Sequence, residues 1–212
     1  MTRHIDITRR VDHTLICWPG RTPPEPEWEK RIERGDHCNV SAWRLGAHTG
    51  THMDAPLHFV AGGRSIDEVP LDVFVGECVV VDVRSTAGRV LDAATAARYR
   101  GQARVLIRTG FPERAERGVY PAHGRVMTPE AAVLLLEGGL RLVGTDRMSV
   151  DVSGGGDYHL HHVLLGAGCV IVEGLLLADA EPGRYQLAAL PLRLSGGEAS
   201  PIRAVLTSFD PA

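Results

Sequence analysis

The 212-residue chain is long enough to bury a core without disulfides or a structural metal, and residues 1–212 are expected to form one domain. Its 23 basic and 26 acidic residues give a formal net charge of -3, and neither sign forms a long run. This balance argues against a nucleic-acid or membrane-surface partner. The first residues lack the apolar stretch of a signal peptide, and no window approaches the roughly 18 apolar residues of a spanning helix. We therefore expect a cytoplasmic protein.

The four cysteines support the same expectation. Cys17, Cys38, Cys78 and Cys169 lie far apart and form no C-x-x-C pair, so the pattern predicts neither a zinc knuckle nor a redox dithiol. Cys78 and Cys169 lie in apolar runs typical of strands, where a thiol behaves as a small hydrophobe. Buried, reduced thiols are expected.

Short runs rich in β-branched residues recur along the chain and predict strands at 5–8, 38–45, 78–83, 105–109, 140–144, 169–173, 185–194 and 202–207. Helices are predicted at 91–99 and from Thr128, where Pro129 and Glu130 follow an N-cap residue and Gly138-Gly139 ends the run. Several strand pairs are too close in sequence for a crossover helix. The fold class is therefore α/β, with a mixed sheet and flanking helices. Residues 19–28, 111–125 and 153–157 are predicted loops.

Segment 48–58 carries four chemically active side chains in the pattern H-x3-H-x-D-x3-H, namely His48, His52, Asp54 and His58. Imidazole and carboxylate are the ligands that zinc and other borderline divalent metals use in hydrolytic sites. In a straight strand His48 and His52 would stand roughly 13 Å apart, so the chain has to turn. The sequence predicts a metal site here.

Gly50 and Pro56 shape the expected backbone of this segment. Gly50 permits a turn, and the x3 spacing would bring His48 and His52 together on one helical turn, whereas Pro56 prevents a regular helix from continuing. We expect a compact turn followed by an extended exit. His58 would then approach separately, as either a further ligand or an acid/base. Asp54 taken alone would suit a helix cap or an Asx turn.

A second cluster lies at His159, His161 and His162, shortly before Glu173. Glu173 ends an apolar run, and a buried carboxylate needs a partner because an unpaired buried charge is expensive. A metal ion is one such partner. The alternative is that Glu173 ends a strand and faces water, while the histidines cap a neighbouring helix.

The two clusters together indicate two metal ions that share a carboxylate. Such a pair activates water, polarises a carbonyl and stabilises the resulting oxyanion. A general acid is still needed to protonate a departing amine, and an imidazole with an unperturbed pKa of about 6.5 suits that work. We assign it to His58.

Residues 48–59, HTGTHMDAPLHF, resemble the signature of the cyclase-type metal hydrolases, and bacterial kynurenine formamidases are the members that the chain resembles most. Further matching segments follow in order along most of the chain: 17–20, 39–41, 69–71, 144–146, 161–165, 172–175, 190–194 and 199–204.

The resemblance implies a swivelling β/β/α domain and a site with two divalent ions, zinc or alternatively manganese. The first ion would be held by His48, His52 and Asp54, and the second by Asp54, His161 and Glu173. His58 would donate and accept the proton, and Trp18 would contact the substrate. The implied reaction is hydrolysis of N-formyl-L-kynurenine to L-kynurenine and formate by water activated at the metal. Family members are commonly homodimers, so a homodimer or higher homo-oligomer is expected.

Two other functions remain open at this stage. A related hydrolase would open a cyclic amide such as isatin, or act on a secondary metabolite. A protein of another class would bind metal or ligand on the same fold without turnover. A serine nucleophile is disfavoured because the glycines near Ser153 and Ser195 do not form a G-x-S-x-G elbow.

Overall fold

The computed structural model describes residues 2–116 and 119–209. The strands are β1 His4–Asp6, β2 Pro26–Lys30, β3 Val40–Trp43, β4 His52–Asp54, β5 Val75–Asp82, β6 Arg104–Arg108, β7 Leu142–Thr145, β8 Val170–Glu173, β9 Gly183–Pro191 and β10 Ala199–Ser208. The α-helices are α1 Leu71–Phe74, α2 Ala93–Ala96, α3 Pro129–Glu137 and α4 His159–Gly166. Five short 3-10 helices occupy Ile32–Arg34, Pro56–His58, Ile66–Glu68, Ala87–Arg89 and Ala97–Tyr99.

The main sheet closes on itself into a barrel. Its strand order is β1-β10-β4-β8-β7-β6-β5-β9, and β9 also pairs with β10, which closes the strands from β10 to β9 into a ring and leaves β1 outside it. The β5–β6, β6–β7 and β7–β8 pairings are parallel, while every pairing that β4, β9 or β10 makes is antiparallel. The predicted mixed sheet with flanking helices is confirmed.

The parallel strands β5 to β8 bury both faces over most of their length, and this explains why their central residues form continuous apolar runs. In β5, Cys78 and Val80 point into the barrel interior, where Met53, Leu106 and Leu206 also pack. The alternate residues Val79 and Val81 pack against the helices outside, in a cluster that includes Leu135 and Leu164. Side chains alternate between the two cores because successive residues of a strand point to opposite faces.

Helix α3 follows the local signals in its sequence. The Thr128 side chain accepts a hydrogen bond from the Ala131 N–H at 3.2 Å, and Pro129 occupies the first turn. Gly139, with φ of 92°, ends the segment in the left-handed region. The predicted helix at 91–99 is also present, as α2 and the adjoining 3-10 turn.

Two predictions need correction. The predicted loop 19–28 contains most of β2, which pairs with β3, the strand predicted at 38–45, in a separate two-stranded sheet. Pro26 fits there because it is the first residue of an edge strand, where its missing N–H costs nothing. Helix α4 was not predicted. Loops 111–125 and 153–157 contain no helix or strand among their described residues, and positions 117–118 lie outside the described part of the chain.

No helix within the described ranges is both long and apolar enough to cross a membrane. The four cysteines are free thiols, and Cys78 and Cys169 are buried as expected. Burial raises the pKa of the Cys78 thiol to about 12, so it stays protonated at neutral pH.

Gly144 of β7 tests the packing of the barrel interior. A Cβ at this position would lie 2.5 Å from Leu106 Cδ2 and 2.8 Å from Leu175 Cδ1, and both leucines are fully buried. We expect Gly144→Ala to lower the free energy of unfolding by about 1–3 kcal/mol, because a packed core accommodates an added methyl only by strain. Chemical denaturation of the metal-free protein measures this change.

The matched control is Gly166→Ala at the end of α4, where nothing lies within 4 Å of the added Cβ. Because alanine is the better helix former, this variant should be as stable as the wild type or more stable by up to about 1 kcal/mol. Equal stability of the two variants would contradict the packing described for β7.

Candidate metal centre

The register between β4 and β8 creates the centre of the site. His52 lies directly opposite Glu173, and Met53 lies opposite Val172. Because side chains alternate, Met53 and Val172 enter the barrel interior while His52, Asp54 and Glu173 share the outer face. All three are buried, and their ligand atoms lie within 4.8 Å of one another.

His48 and His58 reach this face from the two ends of β4. The turn before the strand is closed by the Thr49 N–H to the Gly46 carbonyl at 3.1 Å, and Gly50 adopts a φ of 65°. His48 Nδ1 thereby lies 2.9 Å from Asp54 Oδ1, and the His48 and His58 ring centroids are 4.3 Å apart.

The backbone of this segment was predicted only in part. The turn and the extended exit are present, the latter as β4. His48 and His52 do not share a helical turn, because His52 already belongs to the strand; their rings meet edge to face at 5.1 Å. Pro56 does not simply end regular structure, since it begins the 3-10 helix that carries His58.

Helix α4 supplies His161, and its two neighbouring histidines point away. His161 Nε2 lies 3.3 Å from Glu173 Oε1 and 3.8 Å from Asp54 Oδ2, whereas His159 and His162 are exposed. The structure therefore brings together the five residues predicted as metal ligands, with His58 beside them. The ligand atoms of His48, Asp54 and His58 lie within 4.8 Å of one another, as do those of His52, Asp54 and Glu173. Distance alone therefore leaves the role of His58 open.

Asp54 lies at the centre of both groups and carries the plainest sign of a cation site. Both of its carboxylate oxygens are fully buried, and neither has a hydrogen-bond partner among the described residues. The contact from His48 Nδ1 lacks hydrogen-bond geometry, and the oxygens therefore cap no helix or turn. A buried carboxylate without donors is costly, and coordination of a divalent ion removes that cost. The donor set of imidazoles and carboxylates fits such an ion.

The electrostatics of the site also favour positive charge. Burial alone would lower the pKa of His52, but the carboxylates of Asp54 and Glu173 outweigh it and raise the pKa to about 9. Burial opposes charge on His161 as well, yet Asp151 and Glu173 raise its pKa to about 10. Burial would raise the pKa of Glu173, but hydrogen bonds from His161 and His52 hold it well below its usual range.

Asp151 is a site residue that the sequence did not reveal. It is completely buried and accepts hydrogen bonds from the Leu160 N–H at 3.0 Å, the His161 N–H at 3.1 Å and His161 Nδ1 at 2.8 Å. One carboxylate thus caps the first turn of α4 and leaves His161 Nε2 free to face Glu173. Metal-binding histidines usually have such an acceptor on the far nitrogen. Its position ten residues before His161 gives no periodic signal.

His52 has the corresponding partner in its own backbone. His52 Nδ1 lies 3.0 Å from the Gly50 carbonyl oxygen, and this bond directs Nε2 towards Asp54 and Glu173, each 3.5 Å away. The left-handed Gly50 therefore both forms the turn and orients a ligand.

A cavity of about 1370 Å³ opens onto this centre. Its lining includes four of the five candidate ligands, all but the fully buried Asp54, and three aromatic residues, Trp18, Phe59 and Tyr158. Trp18, predicted as a substrate contact, stacks on Tyr120 with ring centroids 4.8 Å apart and planes inclined by 23°. The stack fixes the indole at the cavity wall.

Known proteins place the chain in a family. Residues 5–152 match the family described as putative cyclase. A kynurenine formamidase from Salinibacter ruber (strain DSM 13855 / M31) is 41% identical over 210 residues, which cover 95% of this chain and 96% of that protein. The chain belongs to the cyclase family. The family match ends before His161 and Glu173, but the formamidase alignment spans nearly the whole chain.

Solved structures agree with this cyclase assignment. A potential metal-dependent hydrolase with cyclase activity has a TM-score of 0.78 at 29% identity, covering 100% of each chain. Isatin hydrolase A from Labrenzia aggregata, bound to benzyl benzoate, has a TM-score of 0.79 at 28% identity and covers 97% of this chain and 93% of that chain.

Metal binding should release protons from this protein. The raised pKa values mean that His52 and His161 are protonated at pH 7 in the metal-free protein, whereas a metal ligand must be deprotonated. Affinity should therefore fall as the pH is lowered from about 10. Calorimetric titration with Zn²⁺ in buffers of different ionisation enthalpy measures the protons released. The His161→Ala variant should release one proton fewer than the wild type on binding Zn²⁺, and the His159→Ala variant should release the same number as the wild type. A Zn²⁺ affinity that does not change with pH would contradict the expectation.

Asp151→Asn should weaken metal binding by about 10–100-fold, because the variant loses the charged acceptor that orients His161. Competition with a chromogenic chelator gives the dissociation constant. The matched control is Asp157→Asn, an exposed aspartate of the same loop that bonds the His159 N–H. If both variants bind metal as tightly as the wild type, Asp151 only caps α4 and does not contribute to metal binding.

Proposed function

We propose that residues 1–212 form one catalytic domain, a metal-dependent amide hydrolase that converts N-formyl-L-kynurenine to L-kynurenine and formate. The observation that carries this proposal is the buried Asp54 carboxylate, which accepts no hydrogen bond from the described residues and is flanked by histidines from β4, its neighbouring turns and α4. The 41% identical kynurenine formamidase supports the choice of an aryl formamide.

Five residues are proposed to hold two divalent ions, zinc or alternatively manganese. His48, His52 and Asp54 would hold one, and Asp54, His161 and Glu173 the other. A divalent ion at such a site supplies Lewis acidity, which lowers the pKa of water and polarises a carbonyl group. Asp54 suits a shared position because each of its oxygens faces a different set of histidines: Oδ1 faces His48 and His52, and Oδ2 faces His161.

His58 is proposed to move the proton. It lines the cavity and is half-buried, and its ring forms no hydrogen bond within the described ranges, so both ring nitrogens are available. Burial, reinforced by His48 and His161, lowers the pKa of His58 against the attraction of Asp54. A neutral ring accepts a proton from the attacking water and delivers it to the anilide nitrogen as the C–N bond breaks.

Trp18 is proposed to contact the aromatic ring of the substrate. The indole lines the same cavity as His48, His52, His161 and Glu173, and its stack on Tyr120 holds it in place. An aromatic ring stacked on Trp18 would gain about 0.5–1.5 kcal/mol beyond simple burial.

Opening of a cyclic amide is the second candidate. The similarity to isatin hydrolase A at 28% identity favours it, since isatin combines an aryl ring with an amide, as N-formyl-L-kynurenine does. Both reactions break an aryl amide C–N bond, so the same residues would serve either substrate. Relative turnover of the two substrates decides between them.

A homodimer or higher homo-oligomer in the cytoplasm is also proposed. The two-stranded sheet of β2 and β3 exposes Trp28, Val40 and Trp43, and its residues Pro26 and Glu27 line the cavity. Exposed apolar surface of this kind favours a protein contact. The free cysteines support a reducing compartment.

His58→Ala tests the proposed role of the proton shuttle. The variant should lose about 10²–10⁴-fold in kcat on N-formyl-L-kynurenine while its metal content stays at the wild-type value. Kynurenine absorbance and elemental analysis give the two quantities, and His159→Ala is the matched control. A fall in metal content would identify His58 as a ligand. Bound metal in the wild type without hydrolysis of formamide or isatin would indicate a binding protein.

A further inference from the structure

Glu198 contacts the side of His48 that faces away from the metal centre. Its Oε1 lies 3.3 Å from His48 Nε2, while His48 Nδ1 lies 2.9 Å from Asp54 Oδ1. The two nitrogens of one imidazole thus meet two different carboxylates. Only one of these carboxylates, that of Asp54, belongs to the buried centre; Glu198 is 45% exposed on the cavity rim.

The arrangement repeats what the other candidate ligands show. His52 has the Gly50 carbonyl on its far nitrogen, and His161 has Asp151. A far-side acceptor fixes the tautomer and the ring orientation of a metal-binding histidine. Glu198 occupies that position for His48, which is 28% exposed and has the least packing to hold it.

The backbone of Glu198 is tied to the centre on both sides. Its carbonyl accepts the Ala55 N–H at 2.9 Å, and the next residue, Ala199, pairs with Asp54. The preceding loop is anchored by the 3-10 helix Ile66–Glu68: the Ile66 N–H bonds the Gly197 carbonyl at 2.8 Å, and Asp67 Oδ1 accepts the Gly196 N–H at 3.0 Å. These hydrogen bonds fix the position of the Glu198 backbone relative to the metal centre.

We propose that Glu198 is a positioning residue, which holds the His48 ring so that Nδ1 is presented to a divalent ion beside Asp54. The inference rests on the metal site of the proposed function and is independent of the substrate. Two rival roles make different predictions. As a direct ligand Glu198 would be needed for full metal stoichiometry, and as an ordinary surface ion pair it would contribute almost nothing.

The experiment compares Glu198→Ala and Glu198→Gln with the wild type. Chelator competition gives the Zn²⁺ affinity, elemental analysis gives the ions bound at saturating metal, and the Co²⁺ absorption spectrum reports the ligand geometry. Glu198→Ala should weaken affinity by about 10–100-fold with unchanged stoichiometry and a shifted Co²⁺ spectrum. Glu198→Gln should recover most of the affinity, because the amide oxygen also presents an acceptor to His48 Nε2.

Glu25→Ala is the matched control, since Glu25 is an exposed glutamate on the same cavity and none of its contacts reaches a candidate ligand. Affinity of Glu198→Ala within twofold of the wild type would overturn the proposal. Equal losses in the Ala and Gln variants, with fewer ions bound at saturation, would overturn it in favour of a ligand role. A wild type that binds no divalent ion would refute the proposed function itself. Thermal unfolding of the metal-free variants checks that they fold.

Discussion

Asp54 places a carboxylate in the protein interior, and within the described part of the chain neither of its oxygens accepts a hydrogen bond. Burying such a charge is costly, and positive charge next to the carboxylate, on protonated histidines or on a divalent ion, offsets that cost. His48, His52 and His161 approach from a turn, a strand and a helix. Hydrogen bonds from the far nitrogens of His52 and His161, to the Gly50 carbonyl and to Asp151, orient two of these rings without an ion.

The barrel supplies the precision that this arrangement requires. His52 and Glu173 face each other because β4 and β8 pair in one register, and Met53 secures that register by filling the barrel interior. A slip of one residue would turn Met53 outward and carry Asp54 to the wrong face. The register of β4 therefore fixes the core packing and the ligand placement together, because Met53 packs inside the barrel and its two neighbours in the strand are the ligands.

Local signals predicted much of the fold and of the site. Thr128 and Pro129 predict the start of α3, and the histidine and aspartate spacing in segment 48–58 predicts the metal centre. Helix α4 escaped prediction because its first turn is capped by Asp151, a residue outside its own sequence. The far-side acceptors escaped for the same reason: a hydrogen bond between residues brought together by folding leaves no periodic trace in the chain.

Part of the cavity wall comes from outside the barrel. His52, Asp54 and Glu173 lie on strands of the closed barrel, whereas Pro26 and Glu27 line the cavity from the separate β2–β3 sheet. The β2–β3 pairing shares no strand with the β4–β8 register, so a substitution in the β2–β3 sheet alters the cavity wall without a direct effect on the ladder that carries His52 and Glu173. The two sheets thus separate selectivity for the substrate from the chemistry of amide cleavage.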